Sequence, residues 1–197
     1  IGIGCGSENC NDVFVIKYSS DGTAIWTQQI GTDKEDVGES VFIDSSSNVY
    51  VAVTSNANFD GKTNAGNDDV FLLKYNSSGV KQWSKQFGTS SQDEASGVSV
   101  DTNGNIYLSG RSRGDIEGNG SSSTDQAFLM KLNSSGTNQW TKQQIVVDGS
   151  GCSFSGHRYP LITTNDGIFI AGVTGASSPS GCSAGFVSKY NSSGTLI

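Results

Sequence analysis

What this 197-residue chain lacks narrows its chemistry first. It holds one histidine, His157, and one methionine. No Ser/His/acid catalytic set can be argued from a single histidine, and a multi-histidine metal centre is excluded. The three arginines are Arg111, Arg113 and Arg158, and the formal net charge is −7 with a pI near 4.5. Nucleic-acid phosphates demand clustered Lys and Arg, so an acidic chain with so few of them is not a DNA or RNA binder. Anionic lipid is disfavoured for the same reason. No run approaches 18 consecutive apolar residues, so no membrane-spanning segment is expected. No charged-then-apolar leader opens the chain, and Ile1 falls inside a repeat. No apolar pattern of period 3.6 persists, so helices are not expected, nor a glycine-rich phosphate loop between strand and helix.

What is present is a repeat. Trp26, Trp83 and Trp140 lie 57 residues apart, as do Phe14, Phe71 and Phe128, with Phe186 following 58 later. The text around each Phe recurs: DVFVIKYSSDG from Asp12, DVFLLKYNSSG from Asp69, AFLMKLNSSG from Ala127 and GFVSKYNSSG from Gly185. Each unit carries four short runs rich in β-branched and aromatic residues. In the clearest unit they are Glu39–Asp44, Val49–Thr54, Val70–Tyr75 and Lys81–Phe87. In the third of these, Phe71, Leu73 and Tyr75 share one face by period-2 alternation. The first pair is joined by Asp44-Ser-Ser-Ser-Asn48 and the second by Asn76-Ser-Ser-Gly79, which are hairpin turns in their Asx, Ser and Gly content. The 26 glycines against two prolines fit many strands joined by tight turns.

The expected fold class is therefore all-β, a β-propeller of four-stranded antiparallel blades, with about three and a half repeats present. The expected division is a partial blade at 1–37, blades at 38–94 and 95–151, and a partial blade at 152–197. All belong to one propeller domain, expected to be a piece of a longer chain.

The run from Asp69 through Tyr75 and Gly79 to Trp83, then Gln86-Phe-Gly-Thr89, Asp93, Gly97-Val-Ser-Val-Asp101 and Gly104-Asn-Ile-Tyr107, resembles the SBBP β-propeller repeat. The resemblance implies blades that close into a ring, commonly of seven. It also implies an extracellular or bacterial cell-surface setting, and no catalytic motif that transfers residue by residue. The turn before each Trp is partly similar to the tryptophan-docking repeat of quinoprotein propellers, although the acidic turn residue and its spacing differ.

Blade topology sorts the connections onto two faces. Turns between strands 1–2 and 3–4 are short and recur. The 2–3 and 4–1 connections, Ser55–Asp68, Arg111–Gln126, Asp148–His157 and Gly175–Ala184, are long and do not, and variable loops on a rigid scaffold are where binding residues concentrate. This loop face carries Arg111, Arg113, Asp115 and Arg158, the candidate ligand-binding residues, with anion binding as the arginines' chemistry. It also carries all four cysteines. Cys5 with Cys10 and Cys152 with Cys182 is the expected disulfide pairing, among the three that four cysteines allow, and it implies an oxidising compartment. No metal site and no cofactor are expected. Asp36 and Asp93, equivalent residues after Gly-Thr, are expected to accept backbone hydrogen bonds at the blade connection. The turns at Asp44 and Asp101 lack the bidentate Glu of a calcium loop. Asn76, Asn119, Asn133 and Asn191 open Asn-x-Ser sequons, which read more simply as turn chemistry.

The functional expectation is a non-enzymatic surface scaffold that binds a protein or glycan partner through its loop face. The rivals are a self-assembling structural protein, which would bind copies of itself, a lectin with one site per repeat, and the non-catalytic portion of a larger propeller enzyme.

Overall fold

The computed structural model describes residues 11–118, 126–143, 158–174 and 184–197. They form thirteen strands and one 3₁₀ turn. The strands are β1 (Val13–Tyr18), β2 (Ala24–Ile30), β3 (Asp36–Ile43), β4 (Val49–Ser55), β5 (Asp69–Tyr75), β6 (Lys81–Phe87), β7 (Asp93–Val100), β8 (Ile106–Ser112), β9 (Gln126–Leu132), β10 (Asn138–Gln143), β11 (Leu161–Thr164), β12 (Gly167–Thr174) and β13 (Ala184–Tyr190). They sort into four sheets in chain order: β1-β2, β3-β4-β5-β6, β7-β8-β9-β10 and β11-β12-β13, and every pairing is antiparallel. Leu196 adds an isolated bridge to Tyr190, beside the third sheet strand. The first strands of successive sheets pack on one another, β3 on β7 and β7 on β11, so the sheets converge there and fan outward. This is the blade arrangement that the repeat announces.

The core lies between sheets. Tyr50, Ala52, Val70 and Leu72 of one sheet pack against Val98, Leu108, Phe128 and Met130 of the next. Period-2 alternation normally buries one face, but the middle strands β4, β5 and β8 are buried on both, because each sheet has a neighbour on either side. The fourth strands keep polar, partly exposed patterns.

The recurring text encodes the seam between blades. The Trp26 Nε1–H donates to the Ser77 carbonyl at 3.1 Å, and Trp140 donates to that of Ser192 at 3.2 Å. Lys17 and Lys131 reach the same two carbonyls. Each Trp thus docks on the Asn-Ser-Ser-Gly turn of the following blade. The turn's last residue is glycine on two counts. Gly79 has φ +79°, and a Cβ there would lie 2.7 Å from the Trp26 ring.

The hairpin turns at Asp44 and Asp101 are Asx turns. The Asp44 carboxylate accepts from the backbone N–H of Ser46 and Asn48, the Asn48 amide and the Tyr50 hydroxyl. Asp101 repeats all four contacts with Asn103, Asn105 and Tyr107. Burial pushes the Asp44 carboxyl up, but these hydrogen bonds outweigh it and hold the group below the ordinary range.

Candidate functional site

The charged residues that do not repeat gather where the first strands converge, at the loop-face end of β3, β7 and β8. A bulge between Gly38 and Ser40 makes Glu39 the extra residue of β3. The equivalent bulge in β7 carries Ser96. Burial pushes the Glu39 carboxyl above its ordinary range; Arg158 opposes the shift and Glu94 adds to it. Glu39, Glu94 and Arg158 therefore share one field, although Arg158 comes from the segment before β11. Glu94 faces Arg111 across the β7–β8 ladder. The Arg111 Nε–H donates to Glu94 Oε2 at 2.8 Å and its Nη2 to Oε1, a two-pronged pair. Gln92 ties Glu94 to Asp68, donating to the two carboxylates at 2.8 and 2.7 Å.

This placement corrects the sequence reading of Arg111. It sits within strand β8 rather than in a loop, is only 6 % exposed, and gives its fork to Glu94. Arg113 lies just beyond the strand, with its backbone N–H donating to the Gln92 carbonyl. Arg158 is exposed. Asp115 accepts from the Gly118 N–H at 2.7 Å. Glu39, Glu94 and Gln92 were missed by reading the sequence. The one available signal was that Glu39 breaks the repeat, where Ser96 stands 57 residues later. Cys5, Cys10, Cys152, Cys182 and His157 lie outside the described residues. Among the described residues, no three His, Cys, Asp or Glu side chains converge as metal ligands would.

The described parts of the long loops are pinned. Phe59 is fully buried against Phe71 with ring centroids 5.0 Å apart, and Asp60 pairs with Lys81. In the 113–118 segment, Gln143 donates to the Gly114 carbonyl and accepts from the Ile116 N–H.

Three buried carboxylates, Asp36, Asp69 and Asp93, sit at the blade connections. Asp93 is fully buried, and its Oδ2 accepts from the Thr89 N–H and hydroxyl at 2.6 and 2.9 Å; Asp36 does the same with Thr32. Asp69, also fully buried, accepts from the Ala65 N–H and the Gln86 amide. Among the described residues, the Oδ1 atoms of Asp36, Asp69 and Asp93 have no hydrogen-bond partner. Burial pushes the Asp69 carboxyl above the ordinary aspartate range. The bonds from Ala65 and Gln86 oppose this, and the charges of Asp93 and Asp68 add to it.

The native state thus holds the Asp69 proton more tightly than the unfolded chain. The stability this confers is complete below the unfolded aspartate value of about 3.9 and is lost as pH rises through the higher folded value. Asp69→Asn is expected to flatten this slope in denaturation curves taken at stepped pH. It should also raise stability at neutral pH by about 1 kcal/mol, because an amide carries no charge to desolvate and can still accept from Ala65 and Gln86. An equal loss of stability at every pH would contradict the assignment.

With the geometry in place, comparisons with known proteins can be set beside it. Residues 25–60 and 82–117 match the family described as SBBP, beta-propeller repeat. Each match starts on a Trp-bearing fourth strand and continues into the first two strands of the next blade. The chain is 27 % identical over 116 residues to regulatory protein FlaEY of Caulobacter vibrioides, a match covering 55 % of this chain and 12 % of that protein. It is 27 % identical over 129 residues to the uncharacterized WD repeat-containing protein L264 of Acanthamoeba polyphaga mimivirus, covering 54 % of this chain and 9 % of that protein. The chain thus spans about a tenth of the length of these relatives. A solved thermostable family-43 glycoside hydrolase superimposes with a TM-score of 0.50 over 98 % of this chain and 72 % of its own, at 10 % identity, a likeness of fold alone. Repeat text, antiparallel four-stranded sheets and two family matches in register with them agree: the chain carries SBBP β-propeller repeats at 25–60 and 82–117.

Proposed function

We propose that this chain serves as a non-enzymatic propeller scaffold, outside the cell, that binds a protein or glycan partner through its loop face. The observation that carries the reading is the non-repeating charged cluster of Glu39, Glu94 and Arg158 where the first strands converge. The repeated carboxylates are spent on structure. Asp44 and Asp101 close turns, while Asp36 and Asp93 cap the blade connection. What remains for recognition is the part of the surface that the repeat does not dictate, held on sheets whose middle strands β4 and β8 are buried throughout.

Arg158 is the residue to test, because it is exposed while Arg111 is locked to Glu94. Arg158→Glu is expected to weaken partner capture from glycan arrays or a culture secretome at least about tenfold, about 1.4 kcal/mol, with no change in the unfolding midpoint. The same capture should weaken with salt. Full retention in Arg158→Glu, with loss in a turn-face variant such as Ser46→Ala, would place recognition elsewhere.

A further inference from the structure

The turn face departs from its own repeat at one place, and a cavity lies there. In the first two complete blades the hairpin between strands 1 and 2 spans three residues between a paired Asp and Asn: Asp44 with Asn48, and Asp101 with Asn105. In the last sheet Thr164 pairs with Gly167 and only Asn165 and Asp166 lie between. The turn is one residue shorter, and its flanking Asp and Asn have become Thr and Gly. The change extends inward. Tyr50 and Tyr107 donate their hydroxyls to Asp44 and Asp101, while Phe169, beneath Lys189 as they lie beneath Lys74 and Lys131, has no hydroxyl to donate. Acceptor and donor disappeared together. In the second blade, Gly104 brings the turn close to Ser134 of the adjacent hairpin, where a Cβ would stand 3.8 Å from the Ser134 side chain. The shorter turn has no counterpart to Gly104. A notch of about 380 Å³ lies between the turns at Asp101, Thr164 and Asn191.

The walls of the notch state what it can hold. Thr102, Asn103 and Asn165 are exposed, and their side chains make no hydrogen bond to the described residues. They offer a hydroxyl and two amides, each able to donate and accept. The Asp166 carboxylate adds an acceptor and is already paired with Lys189 at 3.4 Å. No arginine lines the space, so an anion finds no clamp. The Asp101 carboxylate is saturated by its own turn, which leaves no bare carboxylate pair for a cation. Mixed donors and acceptors, with both carboxylates already engaged, match vicinal hydroxyls, and the volume falls in the range of about 300–1,000 Å³ usual for small-molecule sites.

We propose that this notch is a binding site for a neutral saccharide of one or two hexose units. It stands on the opposite face from the loop cluster and is independent of the function proposed above. With few anchoring groups and no exposed aromatic platform, the dissociation constant is expected on the order of 1 mM.

The test is an amide chemical-shift titration of the full chain with maltose, cellobiose, lactose and chitobiose at millimolar concentrations. At least one disaccharide is expected to shift amides of residues 101–103, 164–168 and 191–192. Grafting the second blade's Asp-Thr-Asn-Gly-Asn turn in place of 164–167 should fill the notch and abolish those shifts. If the graft does not fold, Asn165→Ala with Thr102→Ala decides, since both residues are exposed; a tenfold or greater loss of affinity is expected. Arg158→Glu should leave the titration unchanged. Absence of shifts at these residues with all four sugars, or shifts that survive both the graft and the double variant, would overturn the proposal.

Discussion

Gly110→Ala is expected to cost about 3–4 kcal/mol of stability or to prevent folding. Gly110 sits in β8 opposite Ala95, beside the bulge of β7. A Cβ there would lie 2.0 Å from the Glu94 carbonyl oxygen and 2.7 Å from the Phe128 ring. The nearest obstacle is backbone of the paired strand, so no rotamer can yield. Relief requires parting the β7–β8 ladder, which also holds Glu94 and Arg111 in register. Truncating the ring with Phe128→Ala should therefore not rescue the variant. The preceding blade makes the same point in reverse: Val53 stands where Gly110 does, and its cross-strand partner is Gly38 where the second blade has Ala95. Denaturant titration of Gly110→Ala settles the matter, and a midpoint within about 1 kcal/mol of the parent would show the contact to be softer than its geometry.

Gly88→Ala is expected to cost about 2–3 kcal/mol, and here a second substitution should recover much of the loss. The added Cβ would stand 2.1 Å from Asp69 Oδ1 and 2.7 Å from its Cγ. The obstacle is the end of a side chain, buried and committed to Ala65 and Gln86. In an Asp69→Ala background the two closest contacts are gone and only the 3.2 Å approach of the residue-69 Cβ remains, so a double-mutant cycle should give a favourable coupling of at least about 1 kcal/mol. The chain has performed a version of this experiment on itself. A Cβ at Gly31 would meet Asp12 Oδ1 at 1.9 Å, the same Gly-Asp arrangement one repeat earlier. In the third repeat, both partners change together, to Gln126 and Ile145. Strict additivity in the cycle would mean that Gly88 is required for some reason other than the carboxylate.

These two glycines illustrate what could and could not be read ahead of the structure. The Gly-Thr before Asp36 and Asp93 was legible as a repeated feature, and its acceptor role was expected because Asp after a loop commonly caps nearby N–H groups. Why the residue before Thr must be glycine was not legible, since the obstructing Asp69 comes from a different strand. The tryptophans were likewise visible as a period but not as a dock. Trp26 and its acceptor Ser77 lie 51 residues apart and in different blades. For the candidate site, the sequence singled out Arg111, Arg113, Asp115 and Arg158 by rarity and by loop position. The fold gives them different settings: Arg111 is locked in a strand by Glu94, Asp115 closes a local turn, and Arg158 lies in the field of Glu39, 119 residues away.

The amino-acid sequence alone determined the period, the strand and turn assignment and the fold class. Alternation, β-branched content and Asx or Gly turns act over a few residues, and a repeat multiplies each local signal. Only the tertiary structure decided which charges meet, which carboxylates are buried and where a shortened turn leaves a cavity. Those properties depend on what the neighbouring blade places opposite a residue, and that neighbour lies roughly one repeat or more away along the chain.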